Sequence, residues 1–94
     1  MNLNEEQLNE VEELAGLFFS PEDIAVNLEL DEEFAEYFFE AVEYKSTGVP
    51  IVAAFFKGRI STEIELRKAI RQSAMNGSSP SQQMMLNYLK ESRK

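Results

Sequence analysis

The chain has 94 residues, 44% hydrophobic and 11% aromatic, which is enough apolar side chain to build one compact domain and more than a disordered chain carries. It contains no cysteine and no histidine, which removes disulfides, thiolate metal sites, the commonest zinc ligand and the usual general base at neutral pH. The net charge of −8 is unevenly distributed: residues 1–44 carry 14 of the 17 acidic groups and no Lys or Arg, while residues 45–94 carry all nine basic groups and three acids, locally +6.

The elements are predicted to be helices throughout. Asn4 and Gln7 have the spacing of a capping box, followed by an apolar face of Leu8, Val11, Leu14, Ala15 and Phe18, with Gly16 weakening the last turn. Ser20 is a preferred N-cap, Pro21 suits the first helical position, and Glu22 and Asp23 complement the positive end of the dipole. This second helix runs from Pro21 to about Leu28, and Phe19 and Ile24 are spaced for a hydrophobic staple. After Glu29 and Leu30, Asp31 caps a third helix reaching about Lys45, with Phe34, Tyr37, Phe38, Ala41 and Val42 facing inward and Gly48 as the stop.

Pro50 opens the fourth element, predicted as one helix to Met75. Ile51, Val52, Phe55, Leu66, Ala69 and Ile70 fall on one face, and the phase survives Gly58. A break at "KGRIS", with Thr62 and Glu65 as a fresh capping box, is the competing reading. Asn76-Gly77 ends the helix. Ser79, Pro80 and Gln82 then open a short C-terminal helix whose apolar side is Met84, Met85, Tyr88 and Leu89, before a solvated "KESRK". Strand signals are sparse, so the expected class is all-α, with an acidic three-helix region at 1–48 and a basic long helix plus closing helix at 49–94.

Within residues 20–45 the second and third helices follow helix-turn-helix grammar. A small Ala25 sits where the helices cross, with Ile24, Leu28, Leu30, Ala35 and Phe38 packing around it. Glu29 departs from the pattern, because the turn favours Gly or another residue tolerant of a left-handed backbone. The exposed positions of the third helix are Asp31, Glu32, Glu33, Glu36, Glu40 and Glu43, which would oppose a phosphate backbone. Any DNA contact is expected instead on Lys57, Arg67, Lys68 and Arg71, which cluster within about 100° on the fourth helix, the competing reading being a solvated helix face. Ile60 and Ile64 on the same side point to a protein contact, and Glu36, Glu40 and Glu43 are candidates for the opposing interface. Pairing of unlike halves between copies would be heterologous and would build a ring if it closed.

No catalytic residue, metal site, cofactor or small-molecule substrate is expected. The acid pairs Glu5/Glu6, Glu12/Glu13 and Glu32/Glu33 read as solvated surface, the serines have no histidine to activate them, and "GRIS" and "NGSSPS" lack phosphate-loop spacing. No apolar run reaches the roughly 20 residues of a membrane span. The opening "MNLNEEQLNE" is not a signal peptide. Without cysteine the chain fits a reducing interior, so a cytoplasmic location is expected.

Two segments resemble a family. "FSPEDIAVNLEL" is similar to the opening of the helix-turn-helix in phage terminase small subunits, and "FFKGRISTEIELRKAIRQSAMNGSSPSQQMMLNYL" to the segment that follows, with a Lys-Gly-Arg step, "ELRKAI" and a "GSSP" turn before a closing helix. The resemblance covers roughly residues 19 to 89. It implies a non-enzymatic DNA-packaging protein of a bacterial host cell that forms homo-oligomers, recognises double-stranded DNA and regulates a large packaging subunit. Two other readings remain open. One is an acidic protein-interaction module or DNA mimic that keeps the helix-turn-helix shape without binding DNA; the other is a transcription regulator of a mobile element.

Overall fold

The computed structural model describes residues 3–92. It is all-α: α1 (Glu5–Gly16), α2 (Pro21–Asn27), α3 (Glu32–Glu43), a long α4 (Pro50–Met75) and α5 (Ser79–Ser92). The first three starts are fixed by side-chain caps. Asn4 Oδ1 accepts from the Gln7 N–H at 2.8 Å, while Gln7 Oε1 accepts from the Asn4 N–H at 2.9 Å. Ser20 Oγ accepts from the Asp23 N–H at 3.1 Å, and Asp31 Oδ1 from the Phe34 N–H at 2.7 Å. Each of these helices also places two acidic residues in its first turn, where the dipole favours them.

The helix ends share one solution. After α1, α2, α3 and α4 a single left-handed residue reverses the chain: Phe18 (φ 67°), Glu29 (φ 54°), Lys45 (φ 54°) and Gly77 (φ 96°). In each case its N–H donates to a carbonyl three residues back, and the next N–H donates to one five back, the Schellman arrangement. Only the fourth uses glycine. At the other three a side chain tolerates a backbone that costs about 1–2 kcal/mol. The stop after α3 is thus Lys45 rather than Gly48, because the sixth N–H of the motif, from Ser46, reaches the Ala41 carbonyl two residues before Gly48 is met.

The chain forms two compact units, Met1–Thr62 and Glu63–Lys94, so the division falls inside α4 rather than at residue 48. The first unit holds the core. Val11 and Ala15 from α1, Ile24 from α2, Phe38 and Ala41 from α3, and Ile51, Val52 and Phe55 from α4 are all buried together. Phe38 meets the ring of Phe55 edge-on, with centroids 6.0 Å apart. Full burial of each large side chain contributes about 1.5–3 kcal/mol. The first part of α4 is therefore a fourth wall of this core and not a separate basic region.

Gly58 explains how α4 fits. A Cβ there would collide with the Glu12 carbonyl oxygen and crowd the Ala15 Cβ at 3.1 Å, and one at Gly16 would meet Thr62 Oγ1 at 2.9 Å. The two glycines let the backbones of α1 and α4 touch, so Gly58 leaves α4 unbroken while serving the crossing.

In the second unit, Ile70 is buried and no residue of α5 is. Ser78 is the cap of α5, its Oγ accepting from the Ser81 N–H at 3.4 Å, one position before Ser79. The helix runs on to Ser92, through residues assigned to a solvated tail. Several side chains expected on apolar faces are exposed: Phe18 at 53%, Tyr37 at 51%, Leu66 at 49%, and Met84 and Leu89 of α5. Phe18 lies beyond the end of α1, on the left-handed turn, and so leaves the helical face its spacing suggested. Ala69 is exposed as well.

Candidate functional site

The α2–α3 corner has helix-turn-helix form in its packing. Ile24 and Phe38 are fully buried, Ala25 is buried, and Leu28, Leu30 and Ala35 are half-buried. Glu29 adopts the left-handed conformation that the turn demands, so the turn has the expected backbone in spite of the side chain. Asn27 Nδ2 donates to Glu10 Oε1 at 2.6 Å, tying the end of α2 back to α1.

What this corner presents is acidic. Glu32, Glu33, Glu36, Glu40 and Glu43 are exposed on α3, and among the described residues none of them forms an ion pair. Asp31 is occupied as the cap. With no Arg, Lys, Asn or Gln on that face, α3 lacks the usual side-chain partners of a base edge or a phosphate.

The four candidate DNA-contacting cations all lie on α4 but divide between the units. In the first unit, Lys57 Nζ is 3.5 Å from Glu12 Oε1. In the second, Arg67 pairs with Glu63 at 2.8 Å and lies over the Tyr88 ring at 3.9 Å, while Lys68 is 3.5 Å from Glu65. Arg71 is exposed and, among the described residues, has no ion-pair partner. The three pairs are solvent-accessible, worth at most about 1 kcal/mol each, so a phosphate can displace the carboxylate at small cost. Ile60 and Ile64 are exposed, one in each unit.

Sequence reasoning missed Arg59. Its guanidinium stacks 4.7 Å from the centroid of Phe55 and 5.6 Å from that of Phe18, and one terminal N–H group donates to the Phe19 carbonyl at 2.9 Å. It clamps the α1–α2 turn onto α4. Its buried Nε has no hydrogen-bond partner, and the same is true of Arg67, the other guanidinium held against an aromatic ring. The available signal was a lone cation one residue past Gly58 and four past Phe55, on the side of α4 that turns toward α1.

The first unit also carries a cleft of about 850 Å³, opened between the start of α1, the first two turns of α3 and the loop before α4. Leu3, Leu8, Phe34, Val49 and Ile51 supply its apolar wall, Asp31 and Glu33 line it as well, and no cation does among the described residues. No group of three or more acidic residues able to hold a metal occurs among the described residues, and no described helix is long and apolar enough to cross a membrane. No protein-family model, curated protein or solved structure matches the chain.

Proposed function

We propose that this chain is a non-enzymatic DNA-packaging protein of the phage small-terminase kind, acting in the cytoplasm of a bacterial host cell. It self-assembles and binds double-stranded DNA and a large packaging subunit. The observation that carries this reading is the separation of shape from charge. The helix-turn-helix corner is built in a unit with 14 acidic and three basic residues, −11, while the other unit has six basic and three acidic, +3.

In this reading the duplex backbone meets Arg67, Lys68 and Arg71, and α3 faces a protein. Arg71 is the cation with no carboxylate to give up and makes the first contact; Arg67 is pre-oriented by the Tyr88 ring beneath it. Binding should weaken steeply with salt, since each phosphate neutralised contributes about one unit to the logarithmic slope. The test is duplex binding across a salt series for the full chain and for Arg67→Glu with Arg71→Glu. A steep slope in the parent and at least a tenfold loss in the variant are expected, and absence of binding at every salt concentration overturns the DNA reading.

One observation favours a second reading, a protein-interaction module or DNA mimic: Glu36, Glu40 and Glu43 stand exposed and, among the described residues, form no ion pair. Under it, duplex never binds and reversing these three charges abolishes capture of a basic partner.

A further inference from the structure

We propose that the cleft of the first unit seats the outer face of α5 from a second copy of this chain. The cleft offers an apolar surface of Leu8, Phe34, Val49 and Ile51, with the carboxylates of Asp31 and Glu33 at its edge. Whatever fills it must be apolar with a positive flank.

α5 has that chemistry among its exposed residues. Ser81, Met85 and Tyr88 are its half-buried positions, and Tyr88 lies under Arg67. Around the helix from Met85, Leu89, Leu86 and Lys90 follow within about 100° of one another, Leu89 bordering the half-buried side and Lys90 lying opposite it. Leu86 is 51% exposed and Leu89 44%, and Lys90 is a cation in the last turn. Two leucines at a spacing of three with a lysine beside them form the anchor pattern of a helix that lies in a groove. An acid-edged apolar cleft in a unit of −11 and a basic apolar helix face in a unit of +3 are complementary in both hydropathy and sign. The contact is head-to-tail, so it propagates from copy to copy until it closes.

The inference rests on the self-assembly part of the proposed function and not on DNA, so it is tested without DNA. Sedimentation equilibrium of the full chain reads the association constant, and circular dichroism confirms that helicity is kept. Leu86→Glu with Leu89→Glu should weaken association at least about tenfold, since two apolar anchors become charged beside carboxylates. Lys90→Glu and Glu33→Lys should each weaken it about two- to fivefold, the range of a solvent-accessible ion pair. The double reversal Glu33→Lys with Lys90→Glu should restore the parent value. Asp31 is left intact because it caps α3.

Association unchanged in the leucine variant, or a double reversal no better than its singles, assigns the cleft to another occupant and overturns the proposal while leaving self-assembly standing. A parent chain that stays monomeric at all concentrations overturns both. Restoration by the double reversal in a chain that never binds duplex upholds the seat and removes the packaging reading.

Discussion

The two units spend their apolar residues differently. The first, to Thr62, interleaves four helices and buries Val11, Ile24, Phe38 and Val52 completely. The second, from Glu63, buries Ile70 and leaves Leu66, Met75, Leu86 and Leu89 exposed. A helical segment of this size with one buried side chain is marginal by itself, since most helix stability comes from packing an apolar face. The difference is one of packing: the first unit encloses a core among four helices, and the second keeps most of its large apolar side chains at the surface.

That contrast can be broken most directly at Phe38. Phe38→Ala should destabilise the first unit by about 3–5 kcal/mol, read by thermal unfolding, whereas Ile70→Ala should cost less than half as much. Equal losses would erase the distinction. Gly58→Ala comes next, at about 3 kcal/mol. The added methyl group meets the Glu12 carbonyl, and the gain in helix propensity of about 1 kcal/mol does not offset prying α1 from α4.

Within the second unit, Tyr88→Ala removes the ring beneath Arg67 and should cost about 1 kcal/mol. Amide hydrogen exchange would show the loss in residues 79–92 and leave the amides of α1 to α3 unchanged. The smallest effect has the opposite sign. Glu29→Gly relieves the left-handed turn and should stabilise the first unit by up to about 1 kcal/mol in denaturant unfolding, with the helix-turn-helix corner intact.

Local chemistry was legible in the sequence wherever one residue decides the outcome. The caps at Asn4, Ser20 and Asp31 work through their own side chains and the backbone three residues on, so their spacing suffices to find them. The continuity of α4 followed from a phase that Gly58 did not disturb. Errors entered where tertiary contacts choose. Phe18 and Tyr37 fit the apolar periodicity but are exposed, Phe18 because the chain has already reversed there. Lys45 ends α3 although Gly48 was the better candidate by propensity: it takes the left-handed turn itself, and the Ser46 N–H closes the motif on the Ala41 carbonyl.

The surface was harder to read than the core. Four of the five cations of α4 were found, yet three of those four lie beside carboxylates of the same chain, Glu12, Glu63 and Glu65. Two of those pairs follow helical spacing and could have been foreseen. The Lys57–Glu12 pair could not, since it depends on the close crossing at Gly16 and Gly58. Arg59 went unnoticed for a related reason: its contact with Phe55 follows helical spacing, but Phe18 and the Phe19 carbonyl, which complete its site, are about forty residues away in the chain and adjacent only after folding.

The central claim is that an acidic scaffold and a basic, apolar presenting surface exist in one chain so that copies join through them. Native mass measurement of the full chain at low and high salt tests it most directly. A defined oligomer is expected at low salt, loosening as salt screens the opposed charges. A single monomeric mass under both conditions would contradict it.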